Sequence, residues 1–170
     1  MRTVFGADEQ TDVELDVLRW VRLARMVLDE EQVPEEAEMS VIFVDEQAMS
    51  DLHERFLGGS GPTDVLAFPM DDDVAPGGRQ PDQGGRGPGS PAEASDPPTV
   101  VGDVVVCPQV AQRQAGENRS VDDEVALLVV HGVLHLLNYD HAEDQESEAM
   151  RTRERELLAR FRQLEREAGP

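Results

Sequence analysis

Apolar residues recur at three- and four-residue spacing through Val13, Val17, Leu18, Val21, Leu23, Met26, Val27 and Leu28, the repeat of an amphipathic helix. Thr11 followed by Glu14 has the form of a capping box, so the spacing predicts a helix over about 12–32, closed before Pro34. The pattern then changes. Met39 to Val44 (MSVIFV) is rich in β-branched residues and bounded by polar ones, which reads as a buried strand, and Asp45 stands as the N-cap of a second helix to about Phe56. After GGSGP at 58–62, strands are expected over Thr63 to Pro69 (TDVLAFP) and Val101 to Cys107 (VGDVVVC). Pro108 suits the first turn of a helix to about Glu117, Ser120 caps another carrying Val121 to Leu137, and a last helix covers about Glu143 to Glu167. No internal repeat occurs. Helices mixed with about four short strands predict a single α/β (α+β) domain, with an approximately four-stranded mixed sheet and about five helices.

The stretch 71–100 breaks the pattern. It holds six of the 14 glycines and six of the 11 prolines with almost nothing apolar to bury, and reads as a disordered insertion inside one domain spanning 1–170. The 170 residues are 39% hydrophobic, enough for one core, but seven aromatics leave most of the burial to aliphatic side chains. Asp and Glu number 36 against 15 basic residues, all of them Arg, for a formal charge of −21. That balance argues against bulk attraction to duplex DNA or anionic lipid. A single cysteine, Cys107, cannot form an internal disulfide, and the longest apolar run, Val125 to Val130, is far short of the ~20 residues of a membrane span. The N-terminus has no apolar run of signal-peptide type, so the expected setting is the cytoplasm.

His131, His135 and His141 lie within HGVLHLLNYDH, spaced H-x3-H-x5-H. Residues four apart on a helix share one face, so His131 and His135 can present two imidazoles to one point. His141 returns to that point if the helix stops near 137 and the chain reverses through Asn138, a residue tolerant of the left-handed conformation. Three imidazoles with an open fourth position describe a catalytic zinc site, one Zn2+ per chain, since no CxxC partner exists to close it. Zinc lowers the pKa of bound water toward ~7 and polarises phosphoryl or carbonyl oxygens, which implies hydrolysis. Binding needs neutral imidazoles, so metal is expected to leave below the ordinary His value of ~6.5.

The same histidine spacing occurs in metzincin peptidases as HExxHxxGxxH, but the position of their general base is here Gly132, which favours the metal over the peptidase. Asp140 and Asp103 are candidate carboxylates for the second imidazole nitrogens of the ligands. His53, alone on its helix, reads as a packing or solvated residue, and Cys107 as a small buried hydrophobe. The acidic run Glu143 to Glu148 suits a helix N-terminus. Six arginines between Arg151 and Arg166 alternate with Glu154, Glu156, Glu165 and Glu167, the pattern of a solvated helix with i,i+4 pairs.

HGVLHLLNYDH, preceded by GPTDVLAFP and VGDVVVCP in the same order, resembles the YbeY family of bacterial ribosomal RNA maturation factors, over nearly everything outside the insertion. The resemblance implies a single-domain α/β metallohydrolase holding zinc through His131, His135 and His141. It further implies a single-strand-specific endoribonuclease that matures the 3′ end of small-subunit ribosomal RNA and serves ribosome quality control, with single-stranded rRNA and the small subunit or an assembly protein as partners. The chain departs from the family pattern at Asn138, where Gly is usual, and at Leu57, where many members carry an Arg thought to assist RNA cleavage. Arg55 is two residues away on a different helical face. The Leu57 departure and the acidic charge motivate an alternative, a metal-containing ribosome assembly factor with little catalysis; a zinc peptidase is the third reading.

Overall fold

The computed structural model describes residues 2–70, 99–139 and 143–169. Among these residues, four strands, β1 (Thr3–Asp8), β2 (Ala37–Phe43), β3 (Val65–Pro69) and β4 (Thr99–Val106), form one sheet in the order β1-β2-β4-β3. β1 and β2 are parallel, β2 and β4 are parallel, and β3 runs antiparallel to β4. Among the described residues, five helices accompany them: α1 (Val17–Glu30), α2 (Glu46–Leu57), α3 (Pro108–Ala115), α4 (Val121–Leu136) and α5 (Asp144–Ala168). The α/β class, the mixed four-stranded sheet and the five helices agree with the sequence reading. Of the expected insertion, 71–98 lies outside the described residues, while Thr99 and Val100 belong to β4 and pair with Ala37 and Glu38.

Strand alternation divides the apolar residues between two faces. Val4, Ala37, Met39, Val41, Phe43, Val104 and Val106 join the larger core beneath α1, α4 and α5. Val44, Leu66, Val105 and Cys107 face the other way, toward Met49 of α2 and Val110 of α3. A bulge at Val101 re-phases β4, because Glu38 pairs with Val100 but Met39 pairs with Gly102. Gly102 takes φ +141°, and a Cβ there would lie 2.2 Å from the Phe68 carbonyl oxygen, so only glycine lets the two backbones approach.

Helix starts follow local chemistry. Asp45 accepts from the Ala48 amide at 2.8 Å, and the Ser120 hydroxyl from the Asp123 amide at 3.0 Å, as expected of the two N-caps. The first helix corrects its expected start: Asp16, not Thr11, caps it, and Gln10 instead folds back on the backbone of Val13, so the periodicity before Val17 belongs to a loop. β1 carries no strong sequence signal, being short and interrupted by Gly6, whose missing side chain leaves room for Val17 and Val21 of α1.

Candidate active site

α4 carries HGVLH in its last two turns, with Asp122, Asp123 and Glu124 in the first turn to complement the helix dipole. His131 and His135 stand one above the other, ring centroids 4.5 Å apart and planes at 76°. Their Nε2 atoms lie 3.0 Å from each other. His131 Nδ1 sits 2.5 Å from Oε1 of Glu154 on α5, whose side chain is only 10% exposed. In the tautomer with hydrogen on Nδ1, the ring donates to the Glu154 carboxylate and turns Nε2 toward His135. At this distance the two nitrogens are also within reach of an N–H···N hydrogen bond. The separation is close to the ~3.3 Å that two ligands at ~2.0 Å span on a tetrahedral ion, so the donor set fits zinc.

Gly132 follows His131 but faces the sheet. A Cβ at this position would meet Val104 Cγ1 at 2.6 Å and Val65 Cγ2 at 3.2 Å, so the residue is small because α4 lies close on β3 and β4. The place where a peptidase carries its base is filled by core packing.

α4 ends where the reversal requires it. Asn138 adopts φ +68°, its amide donates to His135 O at 3.1 Å, and the Tyr139 amide donates to Leu134 O at 3.0 Å. These are the paired bonds of a Schellman motif. The Tyr139 hydroxyl donates to Oε2 of Glu31 at 2.7 Å, and Arg153 Nε donates to Oε1 of the same carboxylate at 2.5 Å. Burial and the Glu31 carboxylate push the Tyr139 phenol up to about 12, leaving it a neutral donor.

The structure brings His131 and His135 together; His141 and Asp140 lie outside the described residues. Asp103 corrects an expectation. It pairs with Phe68 and shares the face of Val105 and Cys107, so the sheet stands between it and α4, whose Gly132 rests on Val104. The carboxylate on the histidine is Glu154, which the charge pattern of α5 had assigned to a solvated face. Its neighbours supplied the signal: Met150, Leu157 and Phe161 are buried at three- and four-residue spacing, and Glu154 occupies the gap in that stripe. The α5 arginines also pair across elements, Arg153 with Glu31, Arg160 with Glu30 and Arg162 with Asp123.

His53 Nδ1 lies 2.9 Å from the Gly61 carbonyl, and its ring fills the space above Gly59, a packing role in the GGSGP loop. Leu57 ends α2 and is 61% exposed, while the Arg55 guanidinium lies 5.5 Å over the Phe56 ring. Cys107 is fully buried at the start of α3, and burial pushes its thiol up. Among the described residues, no helix is long and apolar enough to cross a membrane.

The comparisons with known proteins point the same way as the motif. The family model for endoribonuclease YbeY matches residues 6–162. Endoribonuclease YbeY of Thermobifida fusca is 47% identical over 154 residues, covering 90% of each chain. That of Salinispora tropica is 47% identical over 158 residues, covering 92% of this chain and 91% of the relative. The solution structure of TM1509 from Thermotoga maritima superposes with a TM-score of 0.58 at 23% identity, over 98% of this chain and 93% of the other, a likeness of fold. On the family match and these two relatives, the chain belongs to the endoribonuclease YbeY family.

Proposed function

We propose that this protein is a zinc-dependent, single-strand-specific endoribonuclease that acts in the cytoplasm on ribosomal RNA, maturing the 3′ end of the small-subunit RNA and serving ribosome quality control. The observation that carries the metal is the convergence of His131 and His135 at 3.0 Å, with His131 oriented by Glu154. The family membership carries the substrate. His131, His135 and His141 would hold one zinc ion, which when bound supplies Lewis acidity for attack on a phosphodiester. Glu154 would accept from His131 Nδ1 and so orient the ring with Nε2 toward His135 and the metal. The Schellman turn at Asn138 and Tyr139 ends α4 directly after the two histidines.

Metal analysis of the purified protein together with cleavage of single-stranded RNA, in wild type and His135→Ala, tests this reading. Near one zinc per chain and metal-dependent cleavage, both lost in the variant, are expected. Stoichiometric zinc without cleavage would favour the second reading, a metal-containing ribosome assembly factor. Its supporting observation is the exposed Leu57 where many members carry an Arg, in a chain of net charge −21. Cleavage of peptides in preference to RNA would overturn both.

A further inference from the structure

α2 ends on two large apolar side chains that water reaches. Phe56 is 57% exposed and Leu57 61%, in the last turn of a helix whose Met49 is buried with Leu66 of β3 and Val105 of β4. Together they leave on the order of 200 Å2 of apolar surface, against about 800 Å2 that each partner gives to a stable protein interface. That is enough for one flat ligand and too little for a protein interface of its own. The Phe56 ring meets Phe68 of β3 edge to face, centroids 5.6 Å apart and planes at 74°, so a strand of the sheet braces it. The Arg55 guanidinium lies 5.5 Å over the ring and has no carboxylate partner among the described residues, whereas Arg153, Arg160 and Arg162 of α5 are paired with acids. The GGSGP loop that follows brings no bulk over the patch, since a Cβ on Gly58 or Gly61 would meet nothing within 4 Å.

A braced aromatic plane with a cation beside it suits an unpaired nucleobase: the base stacks, and the guanidinium turns to the phosphate. In a duplex both faces of a base are covered by its neighbours, so such a plane takes single strands. The charge balance points the same way. At −21 and without Lys the chain has little to offer a phosphate backbone, while stacking does not depend on net charge. The patch also lies beside the histidines. Among the described residues β3 is an edge strand, with Phe68 on one face and Val65 on the other. A Cβ on Gly132, the neighbour of His131, would lie 3.2 Å from Val65, and Val65 is ~10 Å from Phe68 along the strand. The plane and the imidazoles therefore flank one edge of the sheet. We propose that Phe56, braced by Phe68 and flanked by Arg55, is a stacking platform for one unpaired base of the RNA substrate and contributes the preference for single strands. The proposal rests on the ribonuclease reading above and is independent of how the metal is held.

The test is fluorescence anisotropy of a labelled single-stranded RNA titrated with the full chain, with a chelator present to stop metal-dependent cleavage. Phe56→Leu keeps an apolar side chain without a π face and is expected to weaken binding about tenfold, while Phe56→Tyr keeps the plane and should bind as wild type does. The Leu change should leave the slope of log Kd against log salt unaltered, whereas Arg55→Gln should lower it by about 0.7, the value for one phosphate contact on a single strand. 2-Aminopurine placed at each position of the RNA in turn should be quenched at one position by wild type and not by Phe56→Leu. Quenching by wild type carries the test alone if the Leu variant does not fold. Equal losses in the Leu and Tyr variants, or no quenching at any position, would overturn the platform. Wild-type affinity in Phe56→Leu, with RNA cleavage by wild type once zinc is restored, would overturn the platform alone and leave the patch to a protein contact. A wild type that neither binds nor cleaves single-stranded RNA would overturn the ribonuclease reading as well.

Discussion

Replacing Glu154 by alanine removes an acceptor that lies 2.5 Å from His131 Nδ1, in a side chain 10% exposed. Two effects compete in the metal-free protein. The lost charge-assisted hydrogen bond costs about 1.5–3 kcal/mol, while deletion of a buried carboxylate recovers desolvation energy of similar order. The melting temperature is therefore a poor readout. Metal affinity is a better one, because the ring loses a carboxylate that orients it and strengthens it as a ligand. Loss of such a partner weakens binding about 10- to 100-fold, or about 1.4–2.8 kcal/mol at 1.4 kcal/mol per tenfold. A competition titration with a chromophoric chelator at fixed pH measures this directly. Glu154→Gln, which keeps a neutral acceptor, is expected to lose less, and Asp103→Asn, across the sheet, to lose nothing. Zinc affinity in Glu154→Ala within twofold of wild type would refute the role assigned to the carboxylate, and a loss in Asp103→Asn would refute the face assignment.

Gly132→Ala gains about 1 kcal/mol of helix propensity but drives a Cβ to 2.6 Å from Val104, an overpacking cost of about 1–3 kcal/mol, so a net loss in urea midpoint is expected. Combined with Val104→Ala it should cost less than the two single changes added together; strict additivity would show that the contact does not limit the packing. Asn138→Ala, at φ +68°, should lose about 1 kcal/mol while Asn138→Gly stays near wild type, and equal stability of the three would argue against the Schellman turn. The Cys107 thiol is raised by burial above its ordinary 9.0, so its contribution is present below pH 9.0 and is lost as pH rises through the higher folded value. Wild type should thus lose more stability above pH 9.0 than Cys107→Ala does, and the native thiol should resist alkylation at pH 8 until urea exposes it; prompt alkylation of native protein would contradict its burial.

Local chemistry explains which elements were legible. Capping residues Asp45 and Ser120, Pro108 at a helix start and the β-branched run at Val41 each act within a few residues of themselves, and each element stands within two residues of its expected position. Thr11 misled because a capping pattern satisfies only local donors, and the donors around Gln10 closed a loop instead. β1 was not legible because its six residues owe their strand conformation to pairing with β2, a contact distant in sequence. Asp103 was ambiguous for a related reason. Alternation says that it opposes Val104, but only the packing of α4 on one side of the sheet says which face holds the histidines.

Two imidazoles on one face of a helix and a break after them were readable from the chain alone, because i,i+4 spacing and the tolerance of Asn for the left-handed conformation are local properties. The tertiary structure decided which carboxylate meets His131, and that Glu31 gathers Tyr139 and Arg153. Glu154 is separated from His131 by 23 residues, and Glu31 from Tyr139 by 108. Such pairs are fixed by how α1, α4 and α5 pack on one face of the sheet, and that packing depends on the summed burial of the core rather than on any local pattern.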